Sequence, residues 1–230
     1  MSYKRSMRWL VPLLAIALGC HAQAELTRRE AAPAPAQAPD LKPASAPEPV
    51  AARRKLKLLV LGSFPDQLTD TVARSLERTW SLDIERLEPL ELPRSAYYPP
   101  RKRYRADKLN EHLAAMLGDN PDNALLLALT QVDVSTTKGT HADWGVIGLA
   151  FIGGPSGLVS LHRILPSAKG PEHVERRLSI VAAHELGHML GLPHCEEPGC
   201  IMRDAEGSLV HVDESDGQLG PECQARLSGP

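Results

Sequence analysis

The sequence lacks the features that mark several large classes of protein. Its 230 residues include only four cysteines, which is too few for a domain held together mainly by disulfides. Its formal net charge is -2, so it has no basic excess of the kind that binds nucleic acid. The apolar run at residues 9–18 is too short to span a bilayer as a helix. The 43% of hydrophobic residues is enough for the core of one domain.

Residues 1–24 have the pattern of an export signal, with basic residues ahead of the apolar run. Two cleavage sites remain open. Cleavage after the Ala-Gln-Ala sequence at residues 22–24 would release a protein without an anchor. Alternatively, residues 17–20 (Ala-Leu-Gly-Cys) resemble a bacterial lipobox, in which Cys20 carries the lipid. Both predict an exported protein, located in the bacterial cell envelope (the periplasm or a lipid-anchored membrane position) or secreted.

Residues 25–52 are dominated by alanine and proline. This composition has too few large apolar side chains to form a core, and its prolines favour extended polyproline geometry. We therefore expect a disordered tether, which would hold the remaining domain, residues 53–230, away from a membrane if a lipid anchor is present.

Apolar periodicity within residues 53–230 predicts alternating strands and helices. The expected elements are a strand at 57–62, a helix at 66–80, a strand at 82–87, a helix at 105–117 and a strand at 124–134. This order predicts an α/β sandwich whose strands are mostly parallel.

A hairpin is expected next, formed by strands at 144–152 and 158–165 around the Gly-rich sequence at 153–157. One of its strands should form the edge of the sheet, above the histidine-rich stretch at residues 184–194. A free edge strand can hold an extended peptide by pairing with its backbone. Pro171 then marks the start of a long helix that leads into that stretch.

The most informative stretch is His-Glu-Leu-Gly-His-Met-Leu-Gly-Leu-Pro-His at residues 184–194. On a helix, His184 and His188 lie one turn apart on the same face, so both rings can reach a single ion. Gly191 allows the backbone to leave the helix through a conformation that other residues resist, which returns His194 as a third ligand. Three protein ligands with one open position are typical of catalytic zinc. Glu185 is placed to act as the general base on a metal-bound water.

The motif extends into a longer pattern, because Cys195 follows it directly and Cys200, Met202 and Cys223 come next. With this pattern the sequence resembles the archaemetzincins, a family of the metzincin clan of zinc metallopeptidases, over most of residues 55–228. The further matching positions are 103–106, Thr130, Asp133, 148–150 and 159–163.

The resemblance implies a metzincin-like zincin domain: an α/β fold with a mixed, mostly parallel sheet, an antiparallel edge strand, an active-site helix, a Met-turn and a small C-terminal subdomain. It also implies roles for single residues. The three histidines of the motif would bind the catalytic zinc, Glu185 would be the general base, and Met202 would be the methionine of the turn below the metal.

The family also carries a second zinc, held by cysteines in a Cys-x4-Cys-x-Met pattern and a later Cys-x-x-Cys pair. Cys195, Cys200 and Cys223 match three of these positions, but the fourth is Gly220. Three thiolates could still bind zinc with water or a side chain as the fourth ligand. The side-chain candidates are His211, Asp213 and Asp216. Alternatively, in an oxidising envelope, Cys195 and Cys200 form a disulfide and Cys223 stays free.

The sequence thus predicts a zinc-dependent metallopeptidase, of the aminopeptidase kind or another, that acts on peptide or protein substrates as a monomer. No nucleic-acid partner is expected, and a membrane would be contacted only through a lipid anchor. The alternative function is a non-catalytic envelope lipoprotein that binds zinc and peptides.

Overall fold

The computed structural model describes residues 54–120, 122–205 and 207–228. The predicted export signal, with Cys20, and the Ala/Pro-rich tether lie outside these residues and stay predictions. The strands are β1 (Lys55–Val60), β2 (Asp83–Arg86), β3 (Tyr97–Tyr98), β4 (Arg103–Arg105), β5 (Leu125–Thr130), β6 (Val134–Lys138), β7 (His141–Val146), β8 (Gly148–Ala150) and β9 (Ser156–Ser160). The helices are α1 (Asp66–Thr79), α2 (Ala106–Leu117), α3 (Pro171–Met189), α4 (Val210–Glu214) and α5 (Pro221–Ser228).

The main sheet has five strands in the order β2-β1-β5-β9-β8. The first four are parallel to their neighbours, and β8 pairs with β9 in the antiparallel direction at one edge. The predicted mixed, mostly parallel sheet with an antiparallel edge strand is therefore confirmed. All six residues of β5 are buried, as expected for the central strand of a sheet that is covered on both faces.

Helices cover both faces of this sheet, and the period-2 alternation of the strands divides the core between them. Along β5, Leu127 and Leu129 pack with α1 and α3, while Leu126 and Ala128 pack with α2 on the opposite face. Burial of each such leucine side chain stabilises the folded state by about 1.5–3 kcal/mol. The predicted α/β sandwich is confirmed. Helix α3, which includes the first two histidines of the metal motif, packs against the main sheet. No helix among the described residues has the length and apolar character needed to cross a membrane.

A second sheet, with the order β3-β4-β6-β7, was not expected from the sequence. The strand predicted at 144–152 is in fact divided at Ile147, with β7 in the second sheet before it and β8 in the main sheet after it. The strand predicted at 158–165 is also wrong in its second half, because β9 ends at Ser160. There the Ser160 hydroxyl donates to Val132 O at 2.6 Å and accepts the His162 N–H at 3.2 Å, which turns the chain away from the sheet.

An ion pair between a buried arginine and a partly exposed aspartate joins α3 to the C-terminal region. The Arg177 guanidinium donates to both carboxylate oxygens of Asp213, in α4, at 2.6 Å each. Arg177 is only 3% exposed, and it also donates to Ile164 O and Ser167 Oγ. The hydrogen bonds from Arg177, together with one from His173, lower the pKa of Asp213 from its usual 3.8 to about 2. The pair therefore positions α4 against the helix that carries the metal motif.

We expect Asp213→Asn to lower the free energy of unfolding by about 2 kcal/mol at pH 7, because it leaves the buried guanidinium without its charged partner. The figure stays below that of a fully buried pair because the Asp213 side chain is 35% exposed. Since folding lowers the pKa of Asp213, its stabilising effect is complete above about pH 4 and is lost as the pH falls toward 2. Urea unfolding of the wild type and of Asp213→Asn between pH 2 and 7 measures the difference in free energy of unfolding and its pH dependence.

The exposed Asp119→Asn is the matched control and should leave stability unchanged. A difference between Asp213→Asn and the wild type that stays constant from pH 5 down to pH 2 would contradict the assigned pKa shift.

Candidate metal centre

Helix α3 brings the first two histidines of the motif together. His184 and His188 are four residues apart, and their ring centroids lie 4.6 Å from one another. The helix begins at Pro171, whose missing N–H costs nothing in the first turn, and continues without interruption to Met189. The amphipathic spacing thus places both imidazoles on one side of the last two turns.

The third histidine returns through a tight reversal at the end of α3. Gly191 has φ +96°, a left-handed backbone conformation that residues other than glycine strongly disfavour. The Leu192 N–H donates to Gly187 O at 2.9 Å, which closes the helix end. As a result, the Nε2 atoms of His188 and His194 lie 3.1 Å apart, and the His184 and His194 ring centroids lie 5.2 Å apart. One ring nitrogen from each histidine falls within 4.8 Å of the others.

The Nδ1 atoms of all three rings face oxygen acceptors. Those of His184 and His188 contact Ile201 O at 2.7 Å and Leu192 O at 2.8 Å. A carbonyl can only accept a hydrogen bond, so these Nδ1 atoms carry the protons and the Nε2 lone pairs are free. His194 Nδ1 lies 3.5 Å from an Asp204 carboxylate oxygen, which favours the same tautomer. When a histidine binds a metal through one ring nitrogen, a hydrogen bond from the other nitrogen orients the ring in this way.

The charge state of the rings also suits metal binding. Burial, with the nearby His188, lowers the pKa of His184 to about 3, and burial also lowers the pKa of His188. Both rings are therefore neutral at neutral pH and able to donate a lone pair. Nitrogen donors in this number and arrangement fit zinc.

Glu185 lies between the metal motif and the edge of the main sheet. It is 6% exposed, and the Ala150 N–H of β8 donates a hydrogen bond to its carboxylate. A Cβ atom at Gly148 would lie only 2.4 Å from Glu185 Oε1, so the glycine is needed for this close approach. Burial raises the pKa of Glu185 to about 8. The carboxylate is thus held beside the three rings by the strand predicted to be the sheet edge.

Met202 lies below the helix segment that carries the ligands. It is fully buried, and a Cβ atom at Gly187 would be 2.3 Å from its Sδ atom. The chain is fixed here by the Cys195 N–H, which donates to Met202 O at 3.0 Å. The thioether therefore packs against α3 between the positions of His184 and His188, where the resemblance places the Met-turn.

A second group of metal-binding side chains lies in the C-terminal region. Cys195, Cys200 and Cys223 are buried free thiols, and a ligand atom from each lies within 4.8 Å of the others and of a Glu197 carboxylate oxygen. Burial raises the pKa of the thiols of Cys195 and Cys223. The Cys195–Cys200 disulfide, offered as an alternative, is not present in this structure.

The fourth-ligand candidates from the sequence are not brought to this group. Asp213 pairs with Arg177, His211 Nδ1 contacts Asp204 O at 2.6 Å, and Asp216 lies against Gly199. Sequence reasoning missed Glu197. Its position between two of the cysteines was the available signal.

Comparisons with known proteins agree with this architecture. The model of peptidase family M54 matches residues 81–228. The archaemetzincin of Haloarcula marismortui is 27% identical over 177 residues, which is 74% of this chain and 97% of that protein. The archaemetzincin of Aeropyrum pernix is 30% identical over 178 residues, covering 74% and 91%. The crystal structure of the Methanopyrus kandleri archaemetzincin has a TM-score of 0.64 and 28% identity, covering 79% of this chain and 99% of that one.

The fold and the three-histidine motif, taken with these relatives, define a zinc metallopeptidase of the metzincin type. More particularly, the chain belongs to peptidase family M54, the archaemetzincins. The predicted family, fold, enzyme class and zinc dependence are confirmed. The alternative of a non-catalytic binding protein is not favoured, because the family is one of peptidases.

We expect Gly187→Ala to lower the free energy of unfolding of the zinc-loaded protein by up to about 2 kcal/mol. Alanine alone would stabilise a helix by about 1 kcal/mol, but overpacking against the buried Met202 costs about 1–3 kcal/mol. Urea unfolding measures the net change.

The control is the same substitution in a Met202→Ala background. There the added methyl group meets free space, so its cost should vanish or reverse. An equal loss of stability in both backgrounds would show that Met202 does not pack below Gly187 as described.

Proposed function

We propose that the chain hydrolyses peptide bonds at the three-histidine site, with His184, His188 and His194 as zinc ligands and Glu185 as the general base. The observation that carries this proposal is the convergence of three imidazole rings whose Nδ1 atoms face oxygen acceptors and whose remaining nitrogens lie close to one another. Peptide or protein substrates follow from membership of a peptidase family.

A zinc ion held by His184, His188 and His194 would supply a Lewis acid that makes water more acidic and polarises the scissile carbonyl. The protein's part is proton transfer. Glu185 takes a proton from the attacking water and passes it to the leaving amine. Because burial makes Glu185 a stronger base than an exposed glutamate, it is suited to the first step. The Ala150 N–H keeps the carboxylate aimed at the site during both steps.

The edge strand β8 offers a place for an extended substrate. It is the outermost strand of the main sheet, and Ala150 connects it directly to Glu185. The chain continues from β8 into Phe151 and Ile152, which are 54% and 60% exposed. The Gly153 N–H then donates to His188 O at 2.8 Å, so this exposed apolar pair lies in a segment tied to the metal-motif helix. We propose that the pair contacts substrate side chains while β8 pairs with the peptide backbone.

We expect Glu185→Gln to retain zinc and to lower kcat by about 10²–10⁴-fold, the usual contribution of a general base. The amide keeps the shape of the side chain but cannot take the proton. The assay is cleavage of a mixed peptide library by the full chain, with product masses to show whether cuts fall at the amino terminus or internally. Metal analysis of the same sample counts the zinc.

Glu172→Gln, an exposed carboxylate in the first turn of the same helix, is the matched control and should leave cleavage unchanged. Full activity in Glu185→Gln would refute the role of Glu185.

We expect replacement of Phe151 and Ile152 by serine to raise KM about 10-fold or more with a smaller change in kcat, because apolar contact area with the substrate is lost. Steady-state kinetics on the best library peptide measures this. Met116→Ser, an exposed residue of α2, is the control. A change in kcat alone would count against a substrate-binding role of the pair.

A further inference from the structure

The group formed by Cys195, Glu197, Cys200 and Cys223 is built like a closed metal site. The three thiols are 7%, 3% and 0% exposed, and all four ligand atoms lie within 4.8 Å of one another. The residues come from two separate segments, the loop after the metal motif and helix α5. Their convergence therefore depends on tertiary structure and not on local spacing.

One carboxylate oxygen of Glu197 has no hydrogen-bond partner among the residues that the structure describes. Its Oε1 accepts the Glu222 N–H at 3.0 Å, and it is the buried Oε2 that has no such partner within the described part of the chain. Burying a carboxylate oxygen without a partner is unfavourable, and a cation bound to it would remove that cost. The oxygen that lacks a partner belongs to the one carboxylate that lies among the three sulfur atoms.

The Cys200 sulfur atom is held in place by the backbone around it. Its Sγ atom accepts two backbone N–H groups, from Gly220 at 3.1 Å and from Met202 at 3.4 Å. Two donors aimed at one sulfur fix its position and orientation, as hydrogen bonds from neighbouring groups do for the ligands of a metal.

Position 220 explains why a carboxylate is present in this group. A Cβ atom at Gly220 would lie 2.0 Å from Glu197 Oε2 and 3.3 Å from Cys200 Cβ. Gly220 is not among the glycines with a left-handed backbone, so its conformation does not itself require glycine. The absence of a side chain at this position leaves the space that the Glu197 carboxylate fills.

We propose that Cys195, Cys200, Cys223 and the Glu197 carboxylate together bind a second zinc ion, with Glu197 in place of the side chain that Gly220 lacks. Sulfur and carboxylate oxygen are both ordinary zinc ligands, and four protein ligands leave no open position. The site is therefore structural. It would tie the loop between His194 and Met202 to helix α5, and so brace the segment that supports the three-histidine site.

This inference is separate from the proposed function, because none of its four ligands belongs to the three-histidine site. Its test uses cobalt(II), whose sulfur-to-metal charge-transfer band arises only where thiolates bind the ion. Histidine ligands give no such band, so the band reports binding by thiolates whatever the histidines bind. Failure of this proposal is therefore distinguishable from failure of peptide hydrolysis.

The experiment is a Co²⁺ titration of the reduced, metal-free full chain, followed by competition with Zn²⁺. We expect the wild type to show the charge-transfer band, and Glu197→Gln to bind the ion at least about 10-fold more weakly at this site. Glu196→Gln, the exposed neighbouring carboxylate, is the matched control and should behave as the wild type. In the double variant Glu197→Ala with Gly220→Cys, affinity should recover and the band should gain the intensity of one further thiolate.

A second readout separates a ligand from a merely structural residue. Glu197→Gln removes a carboxylate that has one buried oxygen without a partner, so it should raise the melting temperature of the metal-free protein and lower that of the zinc-loaded protein. A structural role without metal would move both temperatures in the same direction.

Three results would overturn the proposal. One is a wild-type titration without the charge-transfer band. The second is equal metal affinity in Glu197→Gln and the wild type. The third is a Cys195–Cys200 disulfide, detected by mass in protein isolated from the exporting cell, since a disulfide would remove two of the ligands.

Discussion

The site depends on the way the chain leaves helix α3. The turn at Gly191 returns His194 to the face of α3 that carries His184 and His188. The segment that follows also supplies both carbonyls, Leu192 O and Ile201 O, that fix the two helical rings. One reversal therefore brings the third ring and sets the tautomers of the other two. A helix alone would hold two imidazoles with free rotation about their side-chain bonds and no third ligand.

Two glycines allow α3 to come close to its neighbours on opposite sides. Gly148 lets the edge strand β8 meet the Glu185 carboxylate, and Gly187 lets the Met202 thioether pack below the ligands. Neither position has the left-handed backbone that requires glycine. Glycine is needed at both positions because the Glu185 or Met202 side chain occupies the space that a Cβ atom would take. This packing ties the proposed base to the sheet edge where a substrate would pair, and ties the ligand helix to the C-terminal region.

Much of the architecture was predictable because it follows from the spacing of apolar residues within single strands and helices. The helix at α1, the buried strand β5 and the long helix α3 follow from apolar periodicity that tertiary contacts did not override. The second sheet was not predictable in this way. Strands β7 and β8 form one continuous extended run in the sequence, and only their pairing with β6 and β9 assigns them to different sheets.

By itself, the sequence determined the residue types and spacing of the metal motif, the left-handed turn at Gly191 and the order of strands and helices. These depend on neighbours within a few residues, where backbone geometry is nearly fixed. Tertiary structure alone decided that Glu197 joins the three cysteines, that Asp213 pairs with Arg177, and that β8 lies beside Glu185. Such contacts join residues that are remote in sequence or lie in irregular loops. Their distances follow from how whole elements pack, which no local pattern records.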